Sequence, residues 1–211
     1  MAGGYANPGG PIVILGASYA GGWKLPAVAG RAVINKGMQG QQSWELAERF
    51  DRDVLANNPR AVILWGFIND IFRAPAGGEA AAIARAKSSI EGMIDRARAA
   101  RVEPILATEV TIRPQDTWSE TIGAWAGWIM GKTSYQDRIN TQVEEVNDWL
   151  RLTAQQRGVL VLDLQPVLAG PRGERRAEFS KPDGSHITDA GYQALSAYAT
   201  PILEKHFTSG S

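Results

Sequence analysis

"PIVILGASYAGGW", residues 11–23, runs from an apolar stretch into small residues, and Ser18 stands just past the change. Ile12-Val13-Ile14-Leu15 has the continuous apolar character of a buried strand, and Gly16-Ala17 ends it. A strand of this kind delivers Ser18 to the carboxyl end of a sheet, where open α/β sheets bind ligands. A serine there is a nucleophile, a phosphate ligand or a helix cap, and its partners elsewhere in the chain decide among these.

The 211 residues suit one domain, large enough to bury a core without disulfides or metals. Lysine plus arginine equal aspartate plus glutamate, 22 against 22, so nothing marks the chain for nucleic acid or an anionic membrane. With no cysteine there is neither a thiolate nucleophile nor a cysteine metal site, and the redox compartment stays open. No apolar run approaches the roughly 18 residues of a spanning helix. The ends "MAGGYANPGG" and "TSGS" are read as flexible (1–10 and 207–211), and as ends that replace a removed leader they lean the reading towards a secreted or periplasmic protein.

Five apolar runs read as buried strands: 11–17, 32–38, 61–67, 103–110 and 158–164. Helical patterns start at Ser43, Glu79 and Tyr135, and Ile139, Val143, Val146, Leu150 and Ala154 repeat at helical spacing. A last helix starting near Thr188 carries Tyr192, Leu195, Tyr198 and Leu203. Alternation of strands and helices with short connections predicts an α/β fold, a parallel five-stranded sheet covered on both faces. Residues 111–134 break the alternation, and with Trp118, Trp125 and Trp128 they read either as a lid or acyl-binding wall, or as a helix packing its tryptophans on the sheet edge or a second subunit.

The chemistry gathers around Ser18. A hydroxyl is a poor nucleophile until an imidazole accepts its proton, and the imidazole needs a carboxylate to fix its tautomer. "KPDGSHITDAGY" places Asp183 and His186 three residues apart just before the last helix, so one turn supplies both. An oxyanion also needs donors. Gly37 and Gly40 follow the second strand, Asn69 follows the third, and the backbone N–H of Ser18 makes another.

Glycine-x-serine after strand one, glycine after strand two, an Asn-Asp block after strand three and Asp-x-x-His before the last helix resemble the SGNH hydrolases, the GDSL esterase/lipase family, over residues 12–192. The resemblance implies a flavodoxin-like three-layer α/β/α sandwich, with Ser18 as nucleophile, His186 as base, Asp183 as its orienting carboxylate, and Ser18, Gly40 and Asn69 as oxyanion donors. It implies hydrolysis of esters or thioesters, lysophospholipids, or acetyl groups on carbohydrate, with no cofactor. The expected reaction is cleavage of short acyl or acetyl esters through an acyl-enzyme, with the tryptophans of 111–134 as substrate-binding residues. Two departures mark this chain: Ala17 stands where the family has aspartate, and Phe67 and Ile68 both separate Gly66 from Asn69.

Other residues carry blander readings. His206, beside Lys205, reads as surface; Arg172, Arg175 and Arg176 in "GPRGERR" read as an exposed turn, or as an attractor for an anionic substrate; Glu144 and Glu145 read as a solvated helix face. Two separated histidines give no metal-ligand spacing. A nucleotide-binding domain is the weaker alternative, because "GASYAGG" lacks the middle glycine of the dinucleotide fingerprint and the Gly-Lys-Ser/Thr of a P-loop. A carbohydrate- or lipid-binding protein on the same fold is the other.

Overall fold

A computed structural model of the chain describes residues 5–25, 27–113 and 135–209. Strands β1 (Ile12–Gly16), β2 (Val33–Gly37), β3 (Ala61–Trp65), β4 (Glu103–Ala107) and β5 (Leu160–Leu162) each fall within one of the five apolar runs. They pair in parallel in the order β2-β1-β3-β4-β5. Every residue of β1, β3 and β4 is buried, as expected of central strands covered on both faces, whereas β2 at the edge is only half-buried.

The strand order places the site. From β1 the chain steps outward to β2, then returns past β1 to β3 and continues away on the other side. The carboxyl ends of β1 and β3 therefore flank the point where the order reverses, which is where an open α/β sheet forms its ligand crevice.

The main helices among the described residues are α1 (Ser18–Gly22), α2 (Ser43–Glu48), α3 (Phe50–Asp53), α4 (Ile68–Phe72), α5 (Glu79–Ala99), α6 (Tyr135–Arg157), α7 (Gln165–Leu168) and α8 (Asp189–Ser209). Helix α5 buries Ala82, Ala86, Ile90, Met93 and Ala97, and α6 buries Ile139, Val143, Val146, Leu150 and Ala154, each a stripe of three- and four-residue steps. Neighbouring residues of β3 show the two covered faces. The Trp65 ring meets Trp23 edge-on at 5.5 Å, and Trp23 Nε1 donates to Ser196 Oγ of α8 at 3.0 Å. Leu64, pointing the other way, shares a small apolar void with Leu46 of α2, Ile90 and Met93 of α5 and Leu150 of α6. The result is a three-layer α/β/α sandwich.

Glycine is required where α1 crosses the end of β2. A Cβ on Gly37 would lie 2.0 Å from Gly21 N and 2.4 Å from Gly21 Cα, all backbone that has nowhere to go. The single helical pattern read from Ser43 is instead broken into α2, α3 and a 3₁₀ turn at Leu55–Asn57. At the break Arg49, 5 % exposed, leaves helical geometry and turns its guanidinium to Gly16 O (3.0 Å) and Lys36 O (2.7 Å), tying together the ends of β1 and β2. Helix α8 runs to Ser209 with Phe207 buried, so residues 207–209 are helical where a flexible end is expected.

Candidate active site

Ser18 is the first residue of α1 and does not cap it: the N-cap is Ala17, whose side chain makes no capping bond. The N–H of a first helical residue has no intrahelical acceptor, and that of Ser18 finds none among the described residues. The half-buried Ser18 hydroxyl also hydrogen-bonds to no described residue, His186 included. Such bonds are commonly long in unliganded enzymes and tighten with substrate.

Asp183 is both the turn residue and the partner of the histidine. Its Oδ1 accepts the N–H groups of Ser185 (2.9 Å) and His186 (2.8 Å), closing the turn, while Oδ2 faces His186 Nδ1 at 2.7 Å. Burial works against its charge, but the His186 N–H, the His186 ring and the Ser185 N–H outweigh it and hold the carboxyl at about 2. Asp183 is therefore ionised at neutral pH. An ionised carboxylate only accepts, so a neutral His186 ring carries its proton on Nδ1 and leaves Nε2 as a base.

The neighbouring residues tie this turn to Ser18. Tyr19 donates its hydroxyl to Ser185 O at 2.6 Å, so the neighbours of Ser18 and His186 are bonded directly. Tyr192 of α8 donates to Tyr19 O at 3.0 Å. Arg175 binds the assembly from below: Nη2 donates to the Tyr19 hydroxyl (3.0 Å), Nη1 to Ser185 O (2.8 Å) and Nε to Thr111 O (2.8 Å). Arg175 is 0 % exposed, which corrects the reading of its loop as an exposed turn; only Arg172 fits that reading well. A cation in the interior is tolerated because carbonyls, a hydroxyl and the Tyr19 ring surround it.

The donors from β2 and β3 form a second clasp. Gly40 sits at φ +76°, a conformation that favours glycine, and its N–H has no acceptor among the described residues. Gly37 is different, because its N–H is taken by Asn35 Oδ1 at 2.8 Å. Asn69, in the first turn of α4, donates one Nδ2 hydrogen to Gln41 O at 2.9 Å and keeps the other. The fully buried Asp70 anchors the pairing, accepting from Ser43 N (2.7 Å) and Ser43 Oγ (2.9 Å). Burial raises its pKa against those bonds and the nearby Arg85. The loop with Gly40 and the turn with Asn69 are thus held against each other.

Three structural partners escape sequence reading: Arg49, Arg175 and Glu109, the last buried beyond β4 and accepting the N–H groups of Phe67 and Ile68. A polar side chain directly after an apolar run, the signal that singles out Ser18, also marks Glu109 in "ILATEV". His206, read as surface, is half-buried and paired rather than free in solvent. Its Nε2 lies 2.6 Å from Glu103 Oε1, and Glu103, the first residue of β4, also pairs with Arg60, all at the end of the sheet away from Ser18. Trp118, Trp125 and Trp128 lie outside the described residues. Among the described residues no group of three or more His, Asp or Glu could hold a metal ion, and no helix is long and apolar enough to cross a membrane.

Solved structures share this fold. A GDSL-like lipase from Bacteroides thetaiotaomicron superposes with a TM-score of 0.72 at 21% identity, covering 98% of this chain and 93% of its own. A lipase/acylhydrolase from Enterococcus faecalis gives 0.65 at 21% identity, with 93% and 96% covered. A catalytic mutant of an acetylxylan esterase from Geobacillus stearothermophilus gives 0.67 at 16% identity, with 96% of each covered. Comparison with curated proteins gave no significant match. The sequence profile of the GDSL-like Lipase/Acylhydrolase family matches residues 15–194, a span that begins in β1 before Ser18 and ends beyond His186. By that match over most of its length, the chain belongs to the GDSL-like lipase/acylhydrolase family of ester hydrolases.

Proposed function

We propose that the protein is a serine hydrolase of carboxylic esters, favouring short acyl or acetyl groups, that works through an acyl-enzyme. The observation that carries this reading is the division of labour at Asp183: one oxygen closes the turn, and the other orients His186 beside the Tyr19–Ser185 link to the serine. Ser18 Oγ attacks the ester carbonyl while His186 Nε2 takes its proton. The tetrahedral oxyanion is held by the N–H of Ser18, the N–H of Gly40 and the second Nδ2 hydrogen of Asn69, donors that find no acceptor among the described residues. His186 then protonates the departing alcohol, and water, deprotonated by the same imidazole, releases the acid. Asp183 stays ionised throughout and stabilises the imidazolium.

The test is release of p-nitrophenol from acetate, butyrate and octanoate esters by wild type and Ser18→Ala, without added metal or nucleotide. Wild-type turnover should fall by several orders of magnitude in the variant and should favour the shorter esters. Near-normal hydrolysis by Ser18→Ala would remove the nucleophile assignment, and a preference for octanoate would remove the short-acyl one.

A further inference from the structure

Glu109 lies just beyond β4, beside the turn that leads into α4, and is 1 % exposed. Its Oε1 accepts the N–H of Phe67 at 2.9 Å and of Ile68 at 3.3 Å, the two residues that separate Gly66 from Asn69. Phe67 is the N-cap of α4 in a non-helical conformation (φ −143°, ψ −7°), and no side chain of its own caps the helix. The first N–H groups of a helix lack intrahelical acceptors, so a side chain from the segment just after β4 does what a capping residue would do.

Glu109 is itself held from the opposite side. Its N–H donates to Asn147 Oδ1 (2.9 Å) and its carbonyl accepts from Asn147 Nδ2 (2.8 Å), with Asn147 fully buried on α6. A continuous chain of bonds therefore runs from α6 through the end of β4 to the turn that carries Asn69. The far side of Asn69 is fixed by Gln41 O.

We propose that Glu109 is a positioning residue, which through the N–H groups of Phe67 and Ile68 sets the aim of the Asn69 side-chain amide at the oxyanion. This rests on the donor role given to Asn69 above. The part of Glu109 that matters is the reach of one oxygen, because Oε2 is buried without a partner among the described residues. Burial pushes the carboxyl up to about 7, against the Phe67 and Ile68 N–H groups and Arg175, and in either protonation state Oε1 is available as the acceptor for those N–H groups. A glutamine keeps that oxygen in place; an aspartate keeps the charge but withdraws the oxygen; a leucine removes it.

The test is kcat and KM on p-nitrophenyl butyrate for wild type, Glu109→Gln, Glu109→Asp, Glu109→Leu, Asn69→Ala and the Glu109→Leu/Asn69→Ala double variant. Glu109→Gln should stay within about threefold of wild type, whereas Glu109→Asp and Glu109→Leu should lose about 10- to 100-fold in kcat with KM nearly unchanged. The double variant should be no slower than Asn69→Ala, because a misaimed donor cannot be lost twice. Wild-type kcat in the Asp and Leu variants, or losses that multiply in the double variant, would overturn the assignment while leaving a defective Asn69→Ala to support the donor reading. A fully active Asn69→Ala would overturn both. Should the leucine variant not fold, the Gln and Asp variants alone decide: equal kcat in the two would overturn the assignment, and loss in Asp only would support it.

Discussion

Replacing Asp183 by asparagine isolates one function of a residue that has two. The two backbone donors, Ser185 N–H and His186 N–H, both point at Oδ1. An asparagine amide must therefore keep its oxygen on that side, because turning the NH₂ there would set donor against donor. The turn survives, and the NH₂ replaces Oδ2, 2.7 Å from His186 Nδ1. Facing a donor, the imidazole moves its proton to Nε2, and the lone pair that should receive the Ser18 proton is gone. The cost for a wrong tautomer in a serine triad is about 10⁴ in kcat, or about 5.5 kcal/mol of barrier at about 1.4 kcal/mol per tenfold. Steady-state kinetics on p-nitrophenyl butyrate, with circular dichroism to show an intact fold, measure it. An Asp183→Asn enzyme within tenfold of wild type would refute the reasoning from geometry to tautomer.

Other perturbations reach the supports of the site. Glu109 is raised from 4.5 to about 7 by burial, with Asp70 adding to the rise and the Phe67 and Ile68 N–H groups and Arg175 opposing it. Between those values the folded state holds a proton the unfolded chain has lost, so stability falls as pH rises, by about 3 kcal/mol over the interval. Urea titrations should show wild type losing that amount relative to Glu109→Gln between pH 4.5 and 8, and a pH-independent difference would contradict it. Arg175→Met leaves Thr111 O without its donor and takes from Ser185 O one of its two, the Tyr19 hydroxyl being the other, and should cost about 3–5 kcal/mol together with turnover; a loss under about 1 kcal/mol in urea would show that the buried guanidinium binds nothing important. Gly37→Ala drives a Cβ to 2.0 Å from Gly21 N and should destabilise by about 3 kcal/mol or more, so an unchanged denaturation midpoint would refute the close packing of α1 on β2.

The legible parts of the chain are those written locally. Parallel strands buried on both faces have to be apolar throughout, so 11–17 and 61–67 stand out without their neighbours, and the residues that follow them are located at once. The Asp183–His186 contact is equally local, because one turn of four residues contains both ends of it. What escapes sequence reading depends on segments far apart in the chain. Arg175 among three arginines looks like solvent-exposed charge until Tyr19, Ser185 and Thr111 close around it. Arg49 sits in a good helical pattern, which the carbonyls at the ends of β1 and β2 interrupt from outside. His206 reads as surface because its partner Glu103 is a strand residue with no sequence proximity to it. The longer Gly66–Asn69 block is visible in the sequence, but the carboxyl that accepts its N–H groups comes from the segment after β4.

The central claim is that Ser18 Oγ becomes covalently acylated, and an alkyl fluorophosphonate tests it directly, since attack by an activated serine expels fluoride and leaves a stable phosphonyl ester. Intact-protein and peptide mass spectrometry should find one adduct, on the peptide containing Ser18, with esterase activity lost in proportion and no labelling of Ser18→Ala. An adduct on another residue, or full ester hydrolysis by protein whose Ser18 is wholly modified, would contradict the account.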